Sequence, residues 1–384
     1  MWRNDVAPVF LFLIFAMVVI SERYFFESAS TANFPQARVC TKEKATIKGL
    51  QNKGRCRVGY LLSETKENRI PIHTFKKEYR YNVHVNRSFA DQGPLDVLVH
   101  DFTDIVRGAR DGDENSKAEL FLADLENYIS RRPRMVVMNP LPSWRLLHDR
   151  LGAQKVAKEV VNSLKDPDII VPNRVYLETS GVENTVKYLE EAGVTFPFVC
   201  KSSSKRHLEH HRMTLVFGRR GLEDLDLPCS AESYANHSGI LHKLYVIGET
   251  HFVYGRPSLR NFAMSDDRPK VIFSTSEVAK ADSVSLLNAG KHGEPTSQTR
   301  PVSADKISRI SEMIRRVLGS SLVGIDVIVQ DGTGKHVIID MNDFPGYHEV
   351  GTREFQTALL QLLRTGPCSC FRREEGNKSS KTFA

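Results

Sequence analysis

The sequence predicts an α/β (α+β) protein with a small N-terminal α/β domain ahead of a larger body. Three observations carry this. Apolar runs bounded by turn residues alternate with an amphipathic stretch in the first half, as in a parallel α/β unit. The second half reads as hairpin-connected strands with an amphipathic segment between them. The chain has 384 residues, more than one ordinary domain. With 41% hydrophobic and 26% charged residues, it has the composition of a globular chain.

The elements follow in order. Residues 57–63 (RVGYLLS) read as a first strand, an apolar run ending in a polar turn. Residues 95–100 (LDVLVH) read as a second, entered through the turn Gln92-Gly93-Pro94. Residues 118–129 have helical spacing, with Leu120, Leu122, Leu125 and Ile129 on one side. Residues 135–138 form a third strand, and 139–150 lead into a helix-rich connection. Residues 196–201 form a strand ending in Lys201, with 211–217 as its antiparallel partner. Residues 241–246 and 251–254 read as a hairpin with Gly248-Glu249 at the turn. Residues 306–318 are amphipathic and helical. Residues 322–329 and 336–341 pair around the turn Asp331-Gly332-Thr333-Gly334, and 355–363 form a last helix. There is no internal repeat.

The formal net charge is +7, from 53 Lys and Arg against 46 Asp and Glu. No Lys/Arg block interleaved with aromatics appears, so nucleic acid is not an expected partner. The six cysteines have irregular spacing and no CxxC pairs, which excludes a zinc-ribbon reading. Cys200, in the run Phe196-Pro197-Phe198-Val199-Cys200, reads as a small core residue. A reducing, cytoplasmic compartment is expected for the folded body. Against this, residues 6–20 are almost wholly apolar and follow Arg3. They are shorter than the ~20 residues of a spanning helix and suit a signal segment or a marginal anchor. Membrane contact through 6–20 and a plain N-terminal extension both stay open. Asn86-Arg87-Ser88 and Asn236-His237-Ser238 match the glycosylation pattern, which is common by chance.

The most informative constellation lies near the C-terminus. Asp326 sits in Gly324-Ile325-Asp326-Val327, and Asp340 and Asn342 sit in Ile339-Asp340-Met341-Asn342-Asp343-Phe344-Pro345-Gly346-Tyr347. A carboxylate inside an apolar strand is costly unless paired or coordinated. Asp340 and Asn342 share a face because the side-chain period of a strand is two, and Asp326 joins them if the strands pair. Three such oxygen donors suit a hard cation, magnesium held together with nucleotide phosphates. The alternative is that Asp326 pairs locally and Asp340-Asn342 opens a turn. Lys201 and Lys243 can neutralise phosphate oxygens, or else serve as edge-strand lysines that blunt aggregation.

These residues carry a resemblance. Residues 57–63, 92–100 with Thr103-Asp104, 140–150, 196–201, 243–248, Arg256-Pro257-Ser258-Leu259 with Asn261-Phe262, 324–326 and 339–347 stand in the order found in the inositol 1,3,4-trisphosphate 5/6-kinase (inositol-tetrakisphosphate 1-kinase) family of the ATP-grasp superfamily. The chain resembles that family from about residue 55 to about residue 365. The resemblance implies an extension at 1–50, an N-terminal inositol-phosphate-kinase domain at 51–150, ATP-grasp subdomains at 151–245 and 246–366, and a polar tail at 367–384. It implies ATP as co-substrate, an inositol polyphosphate as acceptor, two magnesium ions on Asp326, Asp340 and Asn342, and a monomer. Arg150, Lys201, Glu232, Lys243, Ser258 and Thr275 would serve the nucleotide, with 232–243 as the adenine-side hinge strand. Lys66, His211, Lys243, Asn342 and Gly346 would face the inositol phosphate, His211 and Lys243 acting in catalysis.

The chain departs from the family pattern in four places. The loop 202–211 carries Arg206-His207 where the pattern has His-Gly. Asp101 stands where the pattern has a substrate lysine, Glu232 where it has glutamine, and Ala279 where it has serine. Three readings follow: an active inositol polyphosphate kinase, a catalytically weak member that binds nucleotide or inositol phosphate, and an ATP-grasp ligase using the same metal face.

Overall fold

In the computed structural model, the described residues fall within 57–365. Residues 1–56, 63–65, 67–79, 84–86, 104–113, 179–180, 203–211, 264–269, 281–282, 284, 289–300 and 366–384 lie outside them. The apolar run 6–20, His211 and the loop around it belong to the latter. Among the described residues no helix is long and apolar enough to cross a membrane.

The N-terminal sheet holds β1 (Val58–Leu61), β2 (Arg80–Asn82), β3 (Val97–His100) and β4 (Val136–Val137), in the order β2-β1-β3-β4 and all parallel. Both β1 and β3 are buried along their length, as strands covered on both faces are. Helix α1 (Glu114–Ser130) lays Phe121, Leu125 and Tyr128 on Phe89, Leu98, Phe102 and Trp144. The Tyr128 hydroxyl donates to Gly93 O at 2.7 Å and accepts from Leu95 N at 2.9 Å, which fixes the turn into β3. Helices α2 (Leu141–His148) and α3 (Arg150–Leu164) follow, the second capped by Asp149, whose carboxylate accepts from Gly152 N at 2.8 Å.

The larger body is built on two five-stranded sheets. The central one holds β6 (Arg174–Leu177), β7 (Phe198–Ser202), β8 (Arg212–Val216), β9 (Cys229–Ser233) and β12 (Lys270–Ser274), in the order β12-β8-β7-β9-β6 and antiparallel throughout. The helix α4 (Val182–Glu191) contributes Leu189 to the core on this sheet, and the short α5 (Thr275–Val278) follows β12. The C-terminal sheet runs β11 (Thr250–Pro257), β10 (Ile240–Ile247), β13 (Leu322–Val329), β14 (His336–Asp343), β5 (Ile169–Ile170), antiparallel except for the last pair.

Helix α6 (Ala304–Leu318) begins at Ser303, whose hydroxyl caps Lys306 N, and ends at Gly319 with φ of 64°. With α3 it covers one face of the C-terminal sheet. Val156, Val160, Ile307, Ile310 and Ile314 pack on Leu244, Val246, Ile325, Val327 and Met341. Burying that many large aliphatic chains, each worth about 2 kcal/mol, pins the alternate residues of β10, β13 and β14 to the opposite face. The last helix, α7 (Thr352–Thr365), packs Phe355, Leu359 and Leu363 against Tyr245 and Tyr347.

Two expectations are corrected. Lys201 and Lys243 are not edge-strand lysines: β7 lies between β8 and β9, and β10 lies between β11 and β13. The span 232–243 is not one strand. Glu232 stands on β9 in one sheet, Lys243 on β10 in another, and 234–239 connect the two strands without strand pairing. Cys200 is a core residue, as expected, and its neighbour strand brings Cys229 to it, the two forming a disulfide with Cα atoms 5.7 Å apart. Cys40, Cys56, Cys368 and Cys370 lie outside the described residues.

Candidate active site

Because the even-numbered residues of β10 face the helices, its odd-numbered ones face outward, and register carries the same face across the sheet. Lys243 lies opposite Asp326, Asp326 opposite Asp340, and Gly324 opposite Asn342. The three expected oxygen donors therefore share one face with the lysine. A register irregularity between Asp326 and Val327 adjusts β13 there. Lys243 Nζ is 2.5 Å from Asp326 Oδ1, with both side chains largely buried.

The central sheet supplies the facing cations. Lys201 projects from β7 across to β14, donating to Ile339 O at 2.9 Å. It also pairs with the buried Glu232 carboxylate, which receives Arg174 on its other oxygen. Arg150, first residue of α3, donates from Nε to Ser202 O at 3.2 Å. Burial alone would raise the Asp340 carboxyl, but the charges of Lys201, Arg150, Lys243 and Arg174 outweigh it and hold the group below the ordinary carboxylate range. Asp340 is thus an ionised oxygen donor inside a cationic cleft. Burial lowers the Arg150 guanidinium, while Asp340 and Glu232 act in the opposite sense.

Among the described residues no three His, Cys, Asp or Glu side chains gather as a metal cage. Two carboxylates, one amide and nucleotide oxygens make a fit for magnesium, which is usually held by one or two carboxylates plus phosphates. Asp326 and Asp340 with Asn342 would hold it.

The turn after β14 closes the site. Phe344 and Tyr347 adopt positive φ, 36° and 49°, a costly conformation for residues with a Cβ. Both rings are buried, at 1% and 4%, and the Tyr347 hydroxyl donates to Val246 O at 2.8 Å. Packing therefore enforces the turn and places Gly346. A Cβ on Gly324 would stand 2.9 Å from Pro345 Cγ and 3.4 Å from Lys243 Cε. Gly324→Ala is expected to lower stability by about 2 kcal/mol and to cut turnover by displacing the turn; urea unfolding and steady-state rates check both.

Ser258 is buried beside the connection 234–239. The buried His237 ring links Ala235 O, 2.8 Å from Nδ1, to Ser258 Oγ, 2.8 Å from Nε2. Nδ1–H donating to the carbonyl leaves Nε2 to accept the serine hydroxyl. Asn236 Oδ1 accepts from Phe262 N at 2.9 Å, so the second glycosylation tripeptide serves as internal structure. Thr275 opens α5 directly after β12, whose Phe273 lies opposite Met213 on β8, itself opposite Lys201 on β7. His211 lies outside the described residues.

Lys66 reaches the C-terminal turn from the N-terminal domain, with Nζ 2.5 Å from Phe344 O and 2.5 Å from Asp101 Oδ2. Close by, Asn139 Nδ2 donates to Leu322 O and to Asp343 Oδ1, at 2.8 and 2.6 Å. Burial pushes the Asp343 carboxyl up to about 7, its hydrogen bond from Asn139 opposes this, and the charge of Asp101 adds to the rise. The buried His100 ring stacks on Phe102 with centroids 3.9 Å apart and contacts Asn139 O through Nε2.

Burial holds His100 down to about 4, so the folded ring is neutral where the unfolded one, near 6.5, takes up a proton. The native state binds fewer protons in that window, and stability falls as pH drops through it, by about 2 kcal/mol between pH 7 and pH 5. His100→Gln is expected to reduce the fall in urea midpoint between the two pH values by its share, while His242 and the buried His237, also held down, keep theirs.

Arg174 and the pairing of Glu232 with Lys201 were not anticipated. Arg174 follows Val171-Pro172-Asn173, which reads as a turn, and only the β6–β9 register, Arg174 opposite Glu232, reveals its role.

Residues 163–365 match the profile described as "Inositol 1,3,4-trisphosphate 5/6-kinase ATP-grasp domain". Residues 57–143 match its "pre-ATP-grasp domain". The chain is 35% identical over 317 residues to the inositol-tetrakisphosphate 1-kinase of Xenopus laevis, covering 80% of this chain and 78% of that one. It is likewise 35% identical over 315 residues to that of Danio rerio, with the same coverage. Among solved structures, the macrocyclase MdnC bound with precursor peptide MdnA from Microcystis aeruginosa MRC superposes with a TM-score of 0.50 at 11% identity, over 79% of this chain and 97% of that one. That likeness concerns the fold alone.

Proposed function

Since the chain belongs to the inositol 1,3,4-trisphosphate 5/6-kinase family of ATP-grasp kinases, we propose that it transfers the γ-phosphoryl group of ATP to a hydroxyl of an inositol tris- or tetrakisphosphate. The observation that carries the reading is the facing of Lys201 and Arg150 with the Asp326, Asp340, Asn342 and Lys243 face across one cleft.

Phosphoryl transfer asks for in-line positioning and neutralised charge more than covalent work from the protein. Lys201, bridging the two sheets, would lie along the nucleotide phosphates, with Arg150 beside it. Ser258, oriented by His237, and the 232–239 connection would take the nucleoside end. Lys243 would carry its charge to the transferring group, exchanging its Asp326 contact for phosphate oxygens. His211 would hold the acceptor. Two magnesium ions on Asp326, Asp340 and Asn342 would supply charge neutralisation and polarisation of the phosphoryl oxygens. The turn holding Gly346 would approach the inositol ring.

A second reading, a nucleotide or inositol-phosphate binding protein with little turnover, draws on the pairing of Lys66 with Asp101. ATP-grasp ligases share the metal face, and one reaction separates them from a kinase. With ATP, magnesium, an inositol trisphosphate, a panel of amino acids as carboxylate substrates and hydroxylamine, the kinase yields a phosphorylated inositol and no hydroxamate. A hydroxamate without phosphorylated inositol would reverse the assignment.

A further inference from the structure

The two sides of the cleft differ in charge. On the nucleotide side, Lys201, Arg150, Lys243 and Arg174 all act on Asp340. On the N-terminal side, Lys66 reaches the turn at Phe344, and it is already engaged. Its ammonium sits 2.5 Å from a carboxylate of Asp101 that is 0% exposed, and 2.5 Å from Phe344 O. Its carbon-bound end lies over the Phe344 ring, with Nζ 5.1 Å from the centroid. Asp343 adds a second carboxylate to the same corner, close enough to feel the charge of Asp101.

A phosphate entering this corner would meet a buried carboxylate in a setting of low dielectric, where like charges repel far more than in water. It could gain Lys66 only by breaking an existing ion pair. A hydroxyl needs no such exchange: it can accept the third ammonium N–H of Lys66 while the pair with Asp101 stays intact.

Resting on the kinase reading above, we propose that Asp101 is a specificity-determining residue. It makes the Lys66 corner a hydroxyl subsite, so that the acceptor preferred by this chain is an inositol phosphate with a free hydroxyl there and hence fewer phosphates. The exclusion is electrostatic and is built into the pair, since Asp101 takes up the Lys66 charge that a phosphate would need.

The test is calorimetric titration of the full chain, with magnesium and ADP present, by an inositol bisphosphate, a set of trisphosphate isomers and a set of tetrakisphosphate isomers. The wild-type protein is expected to bind its best tetrakisphosphate no more tightly than its best trisphosphate. Asp101→Asn, nearly the same in shape, is expected to raise affinity for at least one tetrakisphosphate by about tenfold while the best trisphosphate stays within a few-fold. Wild-type protein that binds a tetrakisphosphate about tenfold tighter than every trisphosphate would overturn the proposal whether or not the variant folds. A ratio unchanged in a folded Asp101→Asn protein would overturn it too, as would the failure of every inositol phosphate to bind. Loss of the kinase reading looks different: the affinities follow the expected order, and no product forms from any of the compounds.

Discussion

Asp340→Asn is expected to lower magnesium-dependent turnover by about 10³-fold or more while the chain stays folded. The carboxylate stands opposite Asp326 and two residues before Asn342, on the face away from the helices α3 and α6. Four cations hold it ionised. An amide of the same size keeps the packing and loses the charge, leaving one carboxylate and two amides for a dication. Circular dichroism should match the wild type. The magnesium concentration for half-maximal rate should rise, a shift that a general loss of packing would not produce. The four cations become less well balanced, so a modest fall in melting temperature accompanies the change. Wild-type turnover in this variant would remove Asp340 from the metal site.

Lys201→Met has the second largest expected effect, and it separates two roles of one side chain. Lys201 ties β7 to β14 through Ile339 O and shares Glu232 with Arg174. Removing one partner of a buried ion pair leaves a charge uncompensated, at a cost of about 3 kcal/mol, with Arg174 limiting the damage. The Michaelis constant for ATP is expected to rise about a hundredfold, because a charge-assisted contact to phosphate is lost. Neutralising both remaining members of the triad, by adding Glu232→Gln together with Arg174→Gln, should restore part of the stability without restoring ATP affinity. Recovery of both would show that Lys201 acts only as a structural tie.

What the sequence made legible follows from short-range physics. The period of two placed Asp340 and Asn342 on one face, and turn residues at 331–334 paired β13 with β14, so the metal face needed no knowledge of the rest of the fold. The pairing of β7 with β8 was legible for the same reason. Strand β9, Cys-Ser-Ala-Glu-Ser, has no apolar alternation of its own, and it is a strand because β7 and β6 flank it. Its consequences were hidden with it: the Glu232 contacts with Lys201 and Arg174, and the Cys200–Cys229 disulfide. The Lys66–Asp101 pair likewise joins residues whose meeting depends on how β3 runs beside β1. Asp101 was recognisable as a departure from the family pattern, while its pairing with Lys66 was not.

The most direct measurement is incubation of the protein with ATP, magnesium and a panel of inositol tris- and tetrakisphosphates, with products resolved by anion-exchange chromatography. The kinase assignment predicts at least one new, more highly phosphorylated peak that disappears when EDTA removes the magnesium. Bound ATP with no new peak from any acceptor would contradict it.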